Sequence, residues 1–404
     1  MSRAGIAAGL LTFATLCIAL AAVWTAPEAV HSPIHPEGQW RWVFVASLTL
    51  CFLAFLGGLW ALRRRGAPLV LVLAIAAGIQ LAPLASPLLM STDVYGYWEY
   101  GWIGAVADAN PYEHPPREYL DNPAHVHRGE SWTNYVPWYG PLFIAASEAQ
   151  AELVSSRAGV VRTYKVLGAL AMLAIVALTA VCARRKAYAA AFVGWNPLLA
   201  FHFAGGGHND AWMMALFLGA LALWRKGDRN AAGFLWILAV AIKWVPLLWV
   251  PLDALANRRR LKPLPVLGVA LGFAAVAALS TWRFGSSWLL SFTPIRGQIG
   301  LTSSTSVPFH VASLFDAPVL WVDRGFFVLF AIAYCWLLVV AWRGRSRRAL
   351  ATALLLCAVA WLGPWYAIWC LPLAAIDEDD VAAALGLGLS AFLLRDALPI
   401  PWIF

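Results

Sequence analysis

Residues 5–25 read GIAAGLLTFATLCIALAAVWT, an apolar run without a charged residue. A helix of about 20 mostly apolar residues crosses the hydrocarbon core of a bilayer, so this run is long enough to span it. A cleaved signal peptide is the competing interpretation. The run is longer than the usual apolar region of about 7–15 residues and lacks a clear small-x-small cleavage site, which favours a transmembrane helix.

The same pattern recurs along the chain, in which 61% of the 404 residues are hydrophobic and 12% are charged. Soluble domains carry about 25% charged residues, so we predict an all-α polytopic membrane protein. A formal net charge of +8 would suggest a nucleic acid partner in a soluble protein. Here the excess lies in clusters at the ends of apolar runs, which mark cytoplasmic loops, and we expect no nucleic acid partner. The clusters are Arg63, Arg64 and Arg65; Arg184, Arg185 and Lys186; Arg258, Arg259 and Arg260; and Arg343, Arg345, Arg347 and Arg348.

Placing these clusters in the cytoplasm predicts the path of the chain through the membrane. The loop 91–139 then faces outside, and its acidic and aromatic composition is typical of a structure lying on the membrane interface. The run 141–154 is too short to span and is interpreted as a partial insertion. Full spans are predicted at 5–25, 42–62, 67–89, 159–182, 187–203, 211–224, 264–282 and 325–342.

The apolar segment 231–255 is interrupted by Lys243 and Pro246 and has basic residues at both ends. Each half would form about 18 Å of helix, short of the 30 Å core, so a re-entrant hairpin is predicted. Broken helices at membrane depth are tolerated where they line a cavity or are buried in protein. In total we expect about ten to thirteen membrane segments in one transmembrane domain, 1–404. Its parts are 1–90 with three spans, 91–140 with the outer loop, 141–260 with the hairpin, and 261–404 with a second outer loop and the last spans.

Asp93 follows the third predicted span directly, at the mouth of the expected bundle. A carboxylate in that position can be partly desolvated and can serve as a general base. The alternative is that Asp93 caps a helix of the interface, since aspartate is a favoured amino-terminal cap.

A second polar cluster, His208, Asn209 and Asp210, follows three glycines between two predicted spans. A glycine-rich turn lets the backbone approach a ligand closely, and polar side chains at membrane depth are costly unless they are used. The alternative is a solvent-exposed turn in which Asp210 caps the next helix. A metal-binding role for His208 is not favoured, because no second ligand lies at helical spacing.

Lys243, inside the broken segment, is the third candidate. A lone lysine between apolar halves usually marks a ligand pathway, and snorkelling to the interface is the alternative. Four residues of the outer stretches could bind sugar or phosphate, although an anchoring role at the interface is the simpler interpretation for most of them. They are Trp132, Trp138, Arg283 and Arg296.

The chain contains a series of motifs in a fixed order: DVYGY at 93–97, NPY at 110–112, YGPL at 139–142, WNPL at 195–198 and GGGHND at 205–210, with Lys243 before Pro246. This series, from about 91 to 252, resembles the polyprenyl-phosphate-mannose-dependent α-(1→6)-mannosyltransferases of actinobacterial lipomannan synthesis. More broadly it is similar to the GT-C glycosyltransferases, which include the bacterial family 87 mannosyltransferases.

The resemblance implies a GT-C-type helical bundle that transfers mannose, with inversion, from polyprenyl-phosphate mannose to a lipid-linked glycan acceptor. The active site would lie at the outer face of the plasma membrane, with Asp93 in the position of the catalytic base. Lys243 and His208 are the candidates for binding the donor phosphate. The candidates for binding donor sugar or acceptor are Asn209, Asp210, Tyr95, Tyr97, Asn110 and Tyr139.

This chemistry agrees with the residue types. The acceptor hydroxyl has to lose a proton as it attacks, and the departing polyprenyl phosphate gains negative charge that a cation stabilises. The sequence lacks a G-x-G-x-x-G fingerprint after a strand, which fits a lipid phosphate donor better than a nucleotide sugar. A single phosphate near protein cations requires no metal, so we expect neither a metal ion nor a cofactor.

Three other functions remain open from the sequence. A lipid-linked sugar flippase would need a polar cavity and a lysine but no base at Asp93. A transferase of the same fold could use another polyprenyl-phosphate sugar, such as arabinofuranose. A non-catalytic assembly partner would tolerate the loss of all three polar clusters.

Overall fold

The protein is described here by a computed structural model that covers residues 2–25, 36, 38–128, 132–258, 265–292 and 302–398. Arg259, Arg260 and Arg296, which the sequence analysis names, lie outside these residues. The described residues form helices and contain no strand, which confirms the all-α class.

The α-helices are α1 Arg3–Val23, α2 Gly38–Arg64, α3 Leu69–Leu81, α4 Asp93–Ala105, α5 His125–Arg128, α6 Pro141–Leu153, α7 Arg157–Cys182, α8 Lys186–Gly194, α9 Pro197–Ala200, α10 Asp210–Lys226, α11 Arg229–Ile242, α12 Val250–Asn257, α13 Val266–Phe284, α14 Val307–Leu314, α15 Val319–Trp342, α16 Arg348–Ala358, α17 Leu371–Asp377 and α18 Asp380–Leu394. Short 3-10 helices lie at Ala82–Ala85, Pro116–Glu118, Val245–Trp249, Ser287–Phe292, Pro364–Trp369 and Arg395–Ala397, and Phe201–Gly205 is a π-helix.

Five of the described helices, α1, α2, α7, α13 and α15, are long and apolar enough to cross a membrane. Each matches a span predicted from the length of an apolar run, because spanning length is a local property of the sequence. α1 and α2 pack against each other at the amino-terminal end, and α1 buries Leu16 and Ala19 completely. The multi-pass membrane character expected from the composition is therefore confirmed.

Two predicted spans are shorter or broken in the structure. The third ends as α-helix at Leu81 and continues as the 3-10 helix Ala82–Ala85, because Pro83 cannot donate a backbone hydrogen bond. The span predicted at 187–203 is interrupted between α8 and α9. There the Asn196 side chain accepts the backbone N–H of Leu198 and starts a new helical turn.

The segment 231–255 is broken where the sequence indicates. α11 ends at Ile242, Lys243 has an extended backbone, and the chain resumes as a 3-10 helix and then α12. The two halves pack against different helices, α11 on α10 and α13, and α12 on α15. The predicted break is therefore confirmed, and the re-entrant path of the segment through the membrane stays a prediction.

The outer loop contains a buried helix, which its composition did not indicate. α4 buries residues from Val94 to Gly101 and packs on α6 at short range. A side chain at Gly101 would overlap the backbone carbonyl of Ser147 on α6, so this position needs glycine, and a side chain at Gly104 would collide with the Glu148 side chain. This part of the loop is therefore packed within the protein, and its position at the membrane interface stays a prediction.

Candidate active site

A cavity of about 1030 Å³ lies between the outer loop, the broken segment and the carboxyl-terminal helices. One part of its lining is polar: Thr92, Asp93, Tyr97, Tyr100, Arg128, Tyr139, Asn209 and Lys243. Another part is aliphatic or aromatic: Val245, Leu247, Leu248, Leu320, Phe327, Val328, Leu355 and Val359. One cavity therefore combines titratable groups with an apolar surface that suits a lipid chain.

Asp93 is the first residue of α4, and its carboxylate faces the cavity with about a quarter of its surface exposed, 24%. The capping position belongs to Thr92, and the backbone N–H of Asp93 donates to the Ser91 hydroxyl at 3.1 Å. The alternative that Asp93 serves as a helix cap is therefore wrong.

The buried His208 ring faces the Asp93 carboxylate. Its Nδ1 lies 3.4 Å from Oδ2 of Asp93, and its ring stacks on Trp365 with centroids 3.6 Å apart. Burial raises the pKa of Asp93, but the His208 imidazole and the Ser91 hydroxyl more than offset this and lower the pKa below the ordinary aspartate value. The carboxylate is consequently ionised at neutral pH and is able to accept a proton.

The glycine turn brings His208 to this position. Gly207 has a φ of +70°, and a side chain there would meet Val94 at 2.8 Å, so glycine is required on both counts. The backbone N–H of Leu89 donates to the carbonyl of Gly205 at 3.0 Å. The glycines let the turn lie close to the segment that leads into α4, rather than to a ligand as expected from the sequence. This close packing sets the distance between His208 and Asp93.

Lys243 is not a lone cation. Its Nζ donates to Oδ1 of Asp210 at 2.8 Å, and the same oxygen accepts the indole N–H of Trp369 at 2.7 Å. Asp210 is fully buried, and the side chain of Lys243 is 12% exposed toward the cavity. The alternatives in which Asp210 caps a helix from a solvent-exposed turn and Lys243 snorkels to the interface are both wrong.

The break in the helix positions Lys243 at the cavity. Because Lys243 is extended, the carbonyl of Ile242 is free to accept the backbone N–H of Gly140 at 2.9 Å. A side chain at Gly140 would overlap the carbonyl of Ala241, so the turn that carries Tyr139 packs directly on the end of α11. The Nζ of Lys243 consequently lies 6.0 Å from the ring centroid of Tyr139 and 4.6 Å from that of Tyr366.

Asn209 has hydrogen-bonding capacity that the described protein does not use. It is fully buried and lines the cavity, and neither its Nδ2 nor its Oδ1 has a hydrogen-bond partner among the described residues. An unpaired buried amide costs stability, so this side chain is suited to bind a hydroxyl-rich ligand.

The remaining sequence candidates divide into two groups. Tyr97 and Tyr139 line the cavity, in edge-to-face contact with centroids 5.2 Å apart. Tyr95 is buried and its hydroxyl accepts the Arg157 Nε–H at 3.0 Å. The Asn110 side chain donates to the carbonyl of Phe284 at 2.9 Å. Tyr95 and Asn110 therefore have structural partners, and neither lines the cavity.

Arg283 also has a structural position. Its Nε donates to Glu148 at 3.0 Å and its Nη2 donates to the Gly104 carbonyl at 2.7 Å, which ties α13 to α4 and α6. Trp132 and Trp138, by contrast, line the cavity and are not exposed anchors.

The structure adds a buried charge pair that the sequence analysis did not identify. The Arg128 guanidinium pairs with Glu99 and donates to the Tyr100 hydroxyl at 3.0 Å, and Glu99 also contacts His125 at 3.1 Å. Arg128 lines the cavity, and Glu99 is completely buried in α4. The sequence signal for this pair was the Glu99 carboxylate among the aromatic residues of α4, because a buried charge requires a partner.

Comparisons with known proteins agree with this arrangement. A family model described as "Alpha-(1->6)-mannopyranosyltransferase, N-terminal domain" matches residues 6–259. The chain is 28% identical over 363 residues to "Alpha-(1->6)-mannopyranosyltransferase A" of Mycobacterium tuberculosis, covering 76% of this chain and 67% of that protein. It is 30% identical over 220 residues to a "Probable alpha-(1->6)-mannopyranosyltransferase" of Mycolicibacterium smegmatis, covering 50% of this chain and 38% of that protein. No solved structure matches.

Proposed function

The chain belongs to the α-(1→6)-mannopyranosyltransferase family and is a glycosyltransferase, and from that premise we propose that it transfers mannose from polyprenyl-phosphate mannose. The acceptor is a hydroxyl of a lipid-linked glycan, and the product carries a new α-mannosidic bond. Both relatives are named for mannose transfer, which supports mannose over arabinofuranose as the sugar. The observation that carries the proposal is the single cavity that combines the Asp93 carboxylate, the Lys243 cation and an apolar lining.

The reaction follows from the positions of these groups. Asp93 removes the proton of the acceptor hydroxyl as the oxygen attacks the anomeric carbon, and the bond from that carbon to the phosphate oxygen breaks. Attack on the face opposite the leaving group inverts the configuration. Lys243 stabilises the charge that develops on the departing polyprenyl phosphate, and the low-dielectric cavity strengthens this interaction.

The other polar residues orient the reactants. His208 is fully buried and faces Asp93, so we assign it to holding the carboxylate in place rather than to direct contact with the phosphate. Asn209 offers unused donors and acceptors to the sugar hydroxyls, and Tyr97 and Tyr139 shape the wall beside them. Asp210 acts through Lys243, whose position it fixes.

We further propose that the cavity opens at the outer face of the plasma membrane. Basic residues at the opposite ends of the helices support this orientation. Cysteine in place of Glu118, an exposed residue of the outer loop, should react with an impermeant thiol reagent in intact cells. The matched control is Arg345→Cys in the exposed basic turn after α15, which should react only after permeabilisation. Both variants are made in a background without the six native cysteines. The reverse labelling pattern would move the site to the cytoplasmic side.

Turnover by the purified protein is the direct test of the function. Incubation with polyprenyl-phosphate mannose and a panel of mannosylated lipid acceptors should yield a glycan one mannose longer and free polyprenyl phosphate. Mass spectrometry and linkage analysis identify the product. Movement of the donor lipid across proteoliposomes without a new glycosidic bond would indicate a flippase, and the absence of both activities would indicate an assembly partner.

A further inference from the structure

Four aromatic side chains form one continuous part of the cavity wall. The Trp132 ring lies at the centre, with centroids 5.2 Å from Trp138, 5.1 Å from Trp361 and 5.7 Å from Tyr135. All three contacts are edge-to-face, and all four residues line the cavity that contains Asp93. We refer to Trp132, Tyr135, Trp138 and Trp361 as the aromatic cluster.

The aromatic cluster joins two distant parts of the chain and is tied to the helix that starts at Asp93. Three of its members come from the outer loop, and Trp361 lies between α16 and the 3-10 helix Pro364–Trp369. The Tyr100 hydroxyl, on α4, donates to the backbone carbonyl of Tyr135 at 2.8 Å. This hydrogen bond fixes the cluster relative to the candidate base.

The indole N–H groups of the cluster are available to a ligand. Trp195 and Trp249, which support the bundle, donate theirs to Val72 and Thr352. Within the described ranges no protein acceptor takes the N–H of Trp132, Trp138 or Trp361, and none of these nitrogens is a buried unpaired atom, unlike Nε1 of Trp98 and Trp212. The wall therefore presents both ring surface and unused donors, whereas simple packing would require only the rings.

We propose that the aromatic cluster is an acceptor subsite that binds mannose residues already present on the acceptor glycan. This inference rests on the proposed transfer of mannose. A sugar ring has C–H groups that pack on the negative face of an aromatic ring and hydroxyls that accept an indole N–H. The isoprenoid chain of the donor has no hydroxyl to use these donors, and the lining at Leu247, Leu248 and Phe327 offers it an apolar surface instead.

The test measures binding of an α-(1→6)-linked mannotetraose to the purified full chain in nanodiscs, by ligand-observed NMR. Trp132→Ala and Trp361→Ala should each weaken this binding by about tenfold, or about 1.4 kcal/mol, because each removes ring surface that packs on a sugar ring. Trp132→Phe keeps a ring but loses the N–H and should give an intermediate loss. Trp282→Ala is the matched control, because Trp282 on α13 is 83% exposed and does not line the cavity.

Affinity for polyprenyl phosphate, measured on the same samples, distinguishes the subsite from a lipid-binding wall and from loss of the fold. The expected result is unchanged polyprenyl phosphate binding in all four variants. Unchanged mannotetraose binding in Trp132→Ala and Trp361→Ala would overturn the inference. So would weakened polyprenyl phosphate binding in Trp132→Ala and Trp361→Ala with mannotetraose binding retained, which would assign the cluster to the isoprenoid.

The test of the acceptor subsite and the test of the proposed function can fail independently of each other. A wild-type protein that binds mannotetraose through the cluster but forms no product would contradict the transferase and leave the binding site standing. A wild-type protein that forms product, with cluster variants whose KM for the acceptor is unchanged, would contradict the subsite alone. The predicted pattern in active samples is a raised acceptor KM with kcat and donor KM close to wild type.

Discussion

Asp93→Asn is expected to reduce kcat for mannosyl transfer by at least about 100-fold, because asparagine cannot accept the acceptor proton. The amide keeps the size of the carboxylate and the hydrogen bond from the backbone N–H of Asp93 to Ser91, so the structure should be preserved. Removal of a negative charge from the first turn of α4 weakens a helix-dipole interaction worth about 0.3–1 kcal/mol, too little to unfold the protein.

Initial rates with saturating donor and acceptor, together with thermal melting in detergent, measure this effect. Asp121→Asn is the matched control, since Asp121 is an exposed acid of the same outer loop and should retain wild-type kcat. Retention of more than about a tenth of the wild-type kcat in Asp93→Asn would be inconsistent with a general base. The base would then have to be sought among the other acids at the cavity, first Asp323, which lines it.

Lys243→Met should have two effects that a second substitution separates. It removes the cation that we assign to the donor phosphate, and it also leaves Asp210, which is fully buried, without its charge partner. Breaking a buried pair in this way costs about 3–5 kcal/mol, so the variant should melt early. A lysine without a partner, as the sequence suggested, would have predicted little loss of stability.

The double variant Lys243→Met with Asp210→Asn should recover most of the stability. The asparagine oxygen can still accept the indole N–H of Trp369, and no unpaired charge remains. Affinity for polyprenyl phosphate should stay at least about tenfold weaker than wild type, because a hydrogen bond to a charged group contributes about 1.5–3 kcal/mol. Lys243→Arg, with a longer planar group, should recover only part of that affinity.

Donor affinity in the double variant decides the role of the lysine. If affinity returns together with stability, Lys243 only maintains the position of Asp210, and the donor phosphate binds elsewhere. Arg128 would then be the next cation to test, since it lines the same cavity. Asp228→Asn serves as a control for the loss of an acidic residue, because Asp228 only caps the start of α11, away from the cavity.

Local features of the sequence were enough to identify the class of the protein and the residues most suited to chemistry. The lengths of apolar runs identified α1, α2, α7, α13 and α15, since a helix needs only its own composition to cross a bilayer. A proline and a lysine in one apolar run were enough to predict the break before α12, because backbone hydrogen bonding is also local. The ordered motifs pointed to the family that the comparisons then identified.

Which of these residues contact each other depends on long-range packing that local patterns do not encode. The contact between Lys243 and Asp210 spans 33 positions, and the one between Trp369 and Asp210 spans 159, so no local spacing encodes either. Tyr95 lies in the same motif as Asp93, yet its hydroxyl is taken by Arg157. Which face of a helix points into a cavity depends on the helices packed around it, and a polar residue gains or loses its availability through partners from distant parts of the chain.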